Sequence, residues 1–168
     1  MPDFLDQIEA CVPALRRYAR ALTRDVDLAD DLVQDCLERA IRRRGLFRPR
    51  GEVRPWLFTV LINIYRNDRR AVRRHGSFVP MDDIAEPSTP APQPGHLALA
   101  ELARAMDQLP LEQKEALLLV ALEGLAYGEA AAILGVPLGT LMSRLGRARA
   151  ALRLSTGHPA EPHLRTVK

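Results

Sequence analysis

Apolar residues recur every three or four positions along most of the chain, separated by polar residues. One such stripe runs from Ile8 to Leu22, a second from Leu28 to Ile41, and a third from Val53 to Ile64. This spacing places each stripe on one face of a helix. Three helices with one apolar face each can close a small bundle, which we expect over residues 1–77.

The pattern stops in a proline-rich stretch. Prolines occur at positions 80, 87, 90, 92 and 94, with Asp82, Asp83 and Glu86 among them. Proline removes an amide donor and disfavours helix at the residue before it. We therefore expect residues 78–96 to form an extended, semi-rigid linker between two domains.

Helical spacing returns after the linker and predicts four further helices. They are expected at about 97–109, 110–123, 127–134 and 137–154, with Gly124 and Gly135 as stop signals. Residues 97–155 would form a second domain, and residues 156–168 a disordered tail. The predicted fold is all-α, with two small helical domains joined by the linker.

The last two predicted helices have the length and spacing of a helix-turn-helix. Gly135 lies in a turn of three to four residues, and the outward side of the last helix carries polar and basic residues: Thr140, Ser143, Arg144, Arg147, Arg149 and Arg153. A helix of this kind fits the major groove of duplex DNA. The alternative is a solvated face on an ordinary helical hairpin.

Charge is segregated within the first domain. Six acidic residues and no basic ones lie between positions 25 and 38, whereas twelve arginines and two acids follow between positions 39 and 76. Asp31, Gln34 and Asp35 share one face of the second helix and could dock a basic protein partner. The acids at its start are equally explained by the helix dipole, so the residues leave both interpretations open.

The third helix becomes polar toward its end, where Asn63 and Asn67 are joined by five arginines: Arg66, Arg69, Arg70, Arg73 and Arg74. Amides can hydrogen-bond base edges, and arginines can follow a phosphate backbone. Trp56, earlier in this helix, is either a core residue or a platform for base stacking.

The remaining composition predicts a soluble, cytoplasmic protein without metal or cofactor. Cys11 and Cys36 lie in apolar stripes, the four histidines are scattered, and no apolar run is long enough to cross a membrane. Only Lys114 and Lys168 among the 24 basic residues are lysine, and such an arginine excess suits bidentate contacts to phosphate, base edges or carboxylates.

Taken together, the two halves resemble the extracytoplasmic-function group of sigma-70 family RNA polymerase sigma factors. The resemblance covers about residues 5–154. It is carried by the order and spacing of several stretches, which are Asp30–Asp35, Pro55–Phe58 with Asn63 and Arg69–Arg70, Leu109–Pro110, Gly124–Tyr127 and Gly139–Arg149.

The resemblance implies roles for these residues. Asp31, Gln34 and Asp35 would bind the β′ clamp of core polymerase, and the second domain would approach the β flap. Trp56, Asn63, Asn67 and the arginines of the third helix would bind and open the −10 promoter element. Thr140, Ser143, Arg144, Arg147 and Arg149 would read the −35 element as duplex. The family also implies a role in stress response and control by an anti-sigma protein.

Three residues depart from the family pattern, which often has bulkier or charged residues at the positions of Met142 and Gly146 and an acid at that of Gly128. The placement of the helix is supported, but the bases it prefers are left open.

Two other classes of protein are alternatives to a sigma factor. A conventional helix-turn-helix regulator would dimerise and bind a symmetric duplex site without polymerase. A nuclease or recombinase would need clustered carboxylates or a nucleophile beside its base, a pattern that the sequence does not predict.

Overall fold

The computed structural model describes residues 3–47, 52–76 and 94–157. They contain seven α-helices and no strand. Their bounds are α1 Phe4–Thr23, α2 Val26–Arg42, α3 Val53–Arg74, α4 Pro94–Asp107, α5 Leu111–Leu117, α6 Tyr127–Leu134 and α7 Leu138–Thr156. The predicted all-α fold is confirmed. Most of the predicted linker and tail lie outside the described residues.

The first domain is a bundle of α1, α2 and α3, with each helix packed against the other two. The Asp3 and Asp6 carboxylates form a capping box at the start of α1. Asp25 caps α2 by accepting a hydrogen bond from the Leu28 amide at 2.9 Å. Tyr18 and Phe58 are fully buried at the centre, with their rings edge to face at 5.2 Å.

The second domain consists of α4 to α7, and α7 packs against the other three helices. A π-helical turn, Leu118–Leu122, extends α5, and within it the Glu123 amide donates to the Leu118 carbonyl at 3.1 Å. Gly135 ends α6 with a φ of 66°, a left-handed conformation that favours glycine. The turn it forms brings α7 back across α6 as a helix-turn-helix.

The two domains pack directly on each other. Helix α3 lies against α6, and α1 lies against the π-helical turn. The buried apolar side chains of both domains form one continuous cluster. The sequence pattern predicted two domains but not this docking.

Among the described helices, none combines the length and the apolar character that a membrane span requires.

Candidate nucleic-acid interface

The acidic face of α2 is exposed along one side of the first domain. Asp31 and Gln34 are exposed, and the Gln34 amide donates to Glu38 at 3.3 Å. Asp35 is half-buried and accepts two hydrogen bonds from the Arg39 guanidinium, at 2.8 and 2.9 Å. A partner that binds Asp35 therefore competes with Arg39 for this carboxylate.

Trp56 lies in a cluster of aromatic side chains at the start of α3. Its ring centroid is 5.3 Å from that of Phe47 and 6.1 Å from that of Phe4. The side chain is half-buried against the core. Trp56 thus packs inside the domain, against Phe4 and Phe47.

The distal half of α3 carries the predicted basic surface. Asn63 and Asn67 are exposed one helical turn apart, and Arg70, Arg73 and Arg74 are exposed beyond them. Arg69 lies over the Tyr65 ring, 5.7 Å from its centroid, and donates to the Tyr65 hydroxyl at 3.2 Å. Stacking on Tyr65 holds this guanidinium at the surface of the helix.

Arg66 differs from its neighbours because the second domain occupies it. Its Nη2 lies 2.6 Å from Oε2 of Glu115, and its Nε lies 3.0 Å from Oε1. The Glu115 carboxylate is fully buried, and this hydrogen bonding raises the pKa of the Arg66 guanidinium. The predicted −10 residue is thus bound to a carboxylate in this arrangement of the domains.

Helix α7 divides its residues between the core and the surface. Leu141, Leu145 and Ala148 are buried against the second domain. Ser143 and Arg147 are exposed one turn apart, and Thr140 is half-buried beside them. Within the described residues Arg147 forms no ion pair, so its guanidinium is available to a ligand.

The other two predicted arginines of α7 have partners. Arg149 faces the hydroxyl of Tyr127, the first residue of α6, with both terminal nitrogens at 3.4 Å. Arg144 is largely covered and lies 3.4 Å from the Glu112 carboxylate of α5. It therefore has less freedom than Arg147 to reach a base edge.

Three arginines of the first domain form ion pairs with two fully buried carboxylates of the second. Arg17 binds Glu123 through both of its oxygens, at 3.0 and 2.7 Å, and Arg54 reaches the same carboxylate at 3.1 Å. Hydrogen bonding to Glu123 raises the pKa of Arg17. Together with Arg66 and Glu115, these five side chains link the two domains.

The sequence pattern did not indicate a role for Arg17, Arg54, Glu115 or Glu123. One signal was present, because both acids adjoin an apolar run, Ala116–Leu122. A carboxylate next to a stretch that must be buried needs a cationic partner. Nothing in the spacing indicated that the partner would come from the other domain.

A cleft of about 480 Å³ opens between the domains beside Arg66. Its walls carry arginines from both domains, and glutamates and apolar residues from the second: Arg66, Arg69, Arg70, Arg73, Arg144, Glu112, Glu115, Pro110, Leu111, Leu134 and Val136. The cleft thus connects the basic end of α3 with the helix-turn-helix. Its two glutamates pair with Arg66 and Arg144, which leaves Arg69, Arg70 and Arg73 as the excess positive charge of its walls.

Two sequence families match the chain, one in each domain. Residues 8–62 match the family described as the Sigma2 domain of PhyR, and residues 99–152 match the family described as Sigma-70, region 4.

Curated relatives match over most of their own length. The chain is 44% identical over 150 residues to the ECF RNA polymerase sigma factor EcfG of Rhodopseudomonas palustris, covering 88% of this chain and 81% of that protein. It is 34% identical to the ECF RNA polymerase sigma factor SigM of Mycobacterium tuberculosis, covering 86% of this chain and 72% of that one.

Solved structures share the arrangement of helices. The sigma factor RpoE of Bartonella quintana, in complex with the anti-sigma factor NepR, superposes with a TM-score of 0.79 at 32% identity, covering 95% of this chain and 100% of that one. CnrH in complex with the cytosolic domain of CnrY gives a TM-score of 0.69 at 27% identity, covering 94% and 89% of the two chains.

Proposed function

The chain belongs to the extracytoplasmic-function RNA polymerase sigma factors, and we propose that its two domains divide the promoter between them. As a member of this family it directs core polymerase to specific promoters at the start of transcription. One observation carries the division of labour. Each domain has its own exposed arginine surface, at the end of α3 and on α7. The first domain matches the Sigma2 domain of PhyR over residues 8–62, which precede its surface, and the second matches Sigma-70, region 4 over residues 99–152.

The first domain is proposed to bind both the polymerase and the −10 element. Asp31, Gln34 and Asp35 would contact the β′ clamp, because they share one polar face of α2 on which Asp31 and Gln34 are exposed and Asp35 is half-buried. Asn63 and Asn67 would contact an unstacked base, since exposed amides one turn apart can hydrogen-bond its edge. The arginines near them would bind the backbone around it, with Trp56 as a packing residue at its margin.

The second domain is proposed to read the −35 element and to meet the β flap. Arg147 is the strongest candidate for a base contact, because it is exposed, lies on the outer face of the helix and has no ion pair within the described residues. Arg149 would bind a phosphate, with Tyr127 fixing its direction. Thr140 and Ser143 would also contact the −35 element. Arg144, which is largely covered, would contact it at the edge of this surface.

We further propose that an anti-sigma protein controls this chain. Two of the structural relatives are complexes of sigma factors with anti-sigma factors. The basic and apolar cleft between the domains offers a surface that such a partner would cover. The chain would act in the cytoplasm, where its polymerase partner works, by binding alone and without catalysing a reaction, in a stress response.

In vitro transcription tests the proposal directly. The chain is added to bacterial core polymerase on a library of templates with a randomised promoter region, and the transcripts are sequenced. We expect transcripts that start downstream of a shared pair of motifs, absent when the chain is omitted. Failure of every template to respond, together with no binding to core polymerase, contradicts the function. Tight binding of a free dimer to a symmetric site would favour the conventional regulator instead.

A further inference from the structure

Two large apolar side chains are exposed in the first half of α7. Leu138 is the first residue of the helix and is 49% exposed, and Met142 is 53% exposed. Because they are four residues apart, they lie on the same side of the helix, one turn above the other. A single exposed apolar side chain is common in proteins, whereas two neighbours on the helix proposed to bind DNA indicate a contact there.

The fold does not use these two side chains. Helix α7 packs on the rest of its domain through Leu141, Leu145 and Ala148, which are buried. Within the described residues, neither Leu138 nor Met142 belongs to the buried apolar cluster or to the side chains packed against it. Their replacement therefore opens no cavity, and its effects can be assigned to lost contacts with a partner.

The polar side chains of α7 can specify only part of a DNA site. Arg147 can donate to a guanine, as proposed above. The Ser143 hydroxyl donates to the Gly139 carbonyl at 3.0 Å, so toward a base it can only accept. Gly139 and Gly146 have no side chain with which to contact a base. The exposed apolar pair thus provides most of the remaining side-chain surface in the first turns of the helix.

The major groove offers such a surface one matching group, the C5-methyl of thymine. The other distinguishing groups on the base edges there are hydrogen-bond donors and acceptors. Covering these groups with leucine or a thioether would remove their water and supply no hydrogen bond in exchange. A methyl group has no such cost, and the flexible methionine side chain can adjust to its position.

The position of the apolar pair in the helix also favours DNA over a protein partner. The N-terminal residues of a recognition helix are the ones that contact base edges. The four residues from Leu138 to Met142 rise about 6 Å, which corresponds to about two base pairs at 3.4 Å each. Arg149 lies on the same side almost two turns further on, beside the Tyr127 hydroxyl. The row thus runs from an apolar end suited to bases to a cation suited to phosphate.

We propose that Leu138 and Met142 together bind thymine methyl groups in the −35 element. This inference rests on the proposed function and identifies the kind of base that this helix selects besides the guanine proposed for Arg147. The upstream element therefore contains a thymine, on either strand, whose methyl group contributes to promoter strength.

Replacing thymine with deoxyuridine tests the proposal, because the two differ only by the C5-methyl group. Two templates of different transcript length compete for the chain bound to core polymerase. One carries the upstream element selected by the wild type, and the other carries the same element with one thymine replaced. We expect the wild type to prefer thymine by about fourfold at one or more positions, as for the burial of one methyl group.

Paired substitutions show whether the apolar pair causes this preference. Leu138→Gln/Met142→Gln should use both templates equally, whereas the exchange Leu138→Met/Met142→Leu should keep the preference. The matched control is Leu97→Gln/Leu99→Gln, which alters two exposed leucines of α4 and should behave like the wild type. Replacing guanine with 7-deazaguanine should weaken the wild type and the first variant alike, because that contact belongs to Arg147.

Two results would overturn the inference. One is a wild type that treats thymine and deoxyuridine alike throughout the element, which would assign the apolar pair to a protein partner. The other is a glutamine variant that keeps the preference. If that variant loses helix content by circular dichroism, Leu138→Ala/Met142→Ala replaces it, since alanine favours helix. A wild type that transcribes no template contradicts the proposed function itself, so the two failures are distinguishable.

Discussion

Replacing Arg147 with alanine should remove recognition of the upstream promoter element without disturbing the fold. The side chain is exposed on α7 and forms no ion pair with the part of the chain that the structure describes. Its removal therefore leaves no buried group without a partner. We expect the free energy of unfolding to change by less than about 0.5 kcal/mol, as for other surface substitutions.

The effect on DNA reading should be much larger. A guanidinium that binds a guanine through two hydrogen bonds contributes about 1–3 kcal/mol of discrimination against other bases. Since about 1.4 kcal/mol corresponds to a tenfold change in affinity, the loss amounts to about 5- to 150-fold. Arg144 should contribute less, because it is largely covered and already faces Glu112.

Paired templates measure this loss in transcription with core polymerase. One carries the upstream element selected by the wild type, and the other carries a scrambled element with the same −10 region. The wild type should favour the first template, and Arg147→Ala should use both about equally. Arg104→Ala serves as control, because Arg104 is an exposed arginine of the same domain that lies on α4, outside the helix-turn-helix.

Two results would refute the reasoning. If Arg147→Ala still discriminates between the templates as strongly as the wild type, this residue does not read the element. If it also loses binding to core polymerase, the two domains do not divide their functions as proposed.

Three further substitutions or treatments test other parts of the molecule. Gln34→Ala/Asp35→Ala should weaken binding to core polymerase in a competition assay while −35 duplex binding is unchanged; loss of both would indicate misfolding or a wrong assignment. Burial and the nearby Asp35 charge raise the pKa of Cys36 to about 12, so its thiol should resist alkylation at pH 8 until the chain is unfolded, and rapid labelling of folded protein would contradict its burial. Leu141→Ala should lower the free energy of unfolding by about 2–5 kcal/mol in denaturant titrations, because Leu141 is fully buried, whereas Leu138→Ala at an exposed position should have little effect.

The helix-turn-helix was predictable from the sequence because its signals are local. The expected helix at 127–134 has those bounds in the structure, since Gly135 supplies the left-handed residue that ends it. The apolar spacing of Leu141, Leu145 and Ala148 likewise identified the buried side of α7. Apolar spacing and a helix-ending glycine were sufficient to predict these helices, because residues close in sequence determine both features.

The docking of the domains was not predictable, because its contacts join residues far apart in the chain. Arg66 and Glu115 are 49 positions apart, and Arg17 and Glu123 are 106 apart. Sequence spacing marked Arg66 as part of a basic surface but could not identify a carboxylate from the other domain as its partner. Burial of Glu115 depends on how two helical faces meet, which periodicity along one helix does not determine.

The π-helical turn Leu118–Leu122 makes the position of Glu123 depend on the number of residues before it. A hydrogen bond from residue 123 to residue 118 accommodates one more residue than an α-helical turn. If the same residues formed a regular α-helix, the Leu118 carbonyl would accept from residue 122 instead, and Glu123 would lie one residue further on, rotated by about 100°. The Glu123 carboxylate would then point away from Arg17 and Arg54, although every charged residue was retained. In related chains, a segment of the same length without the π-helical turn would therefore misplace this carboxylate, whereas a segment shorter by one residue could keep it in place.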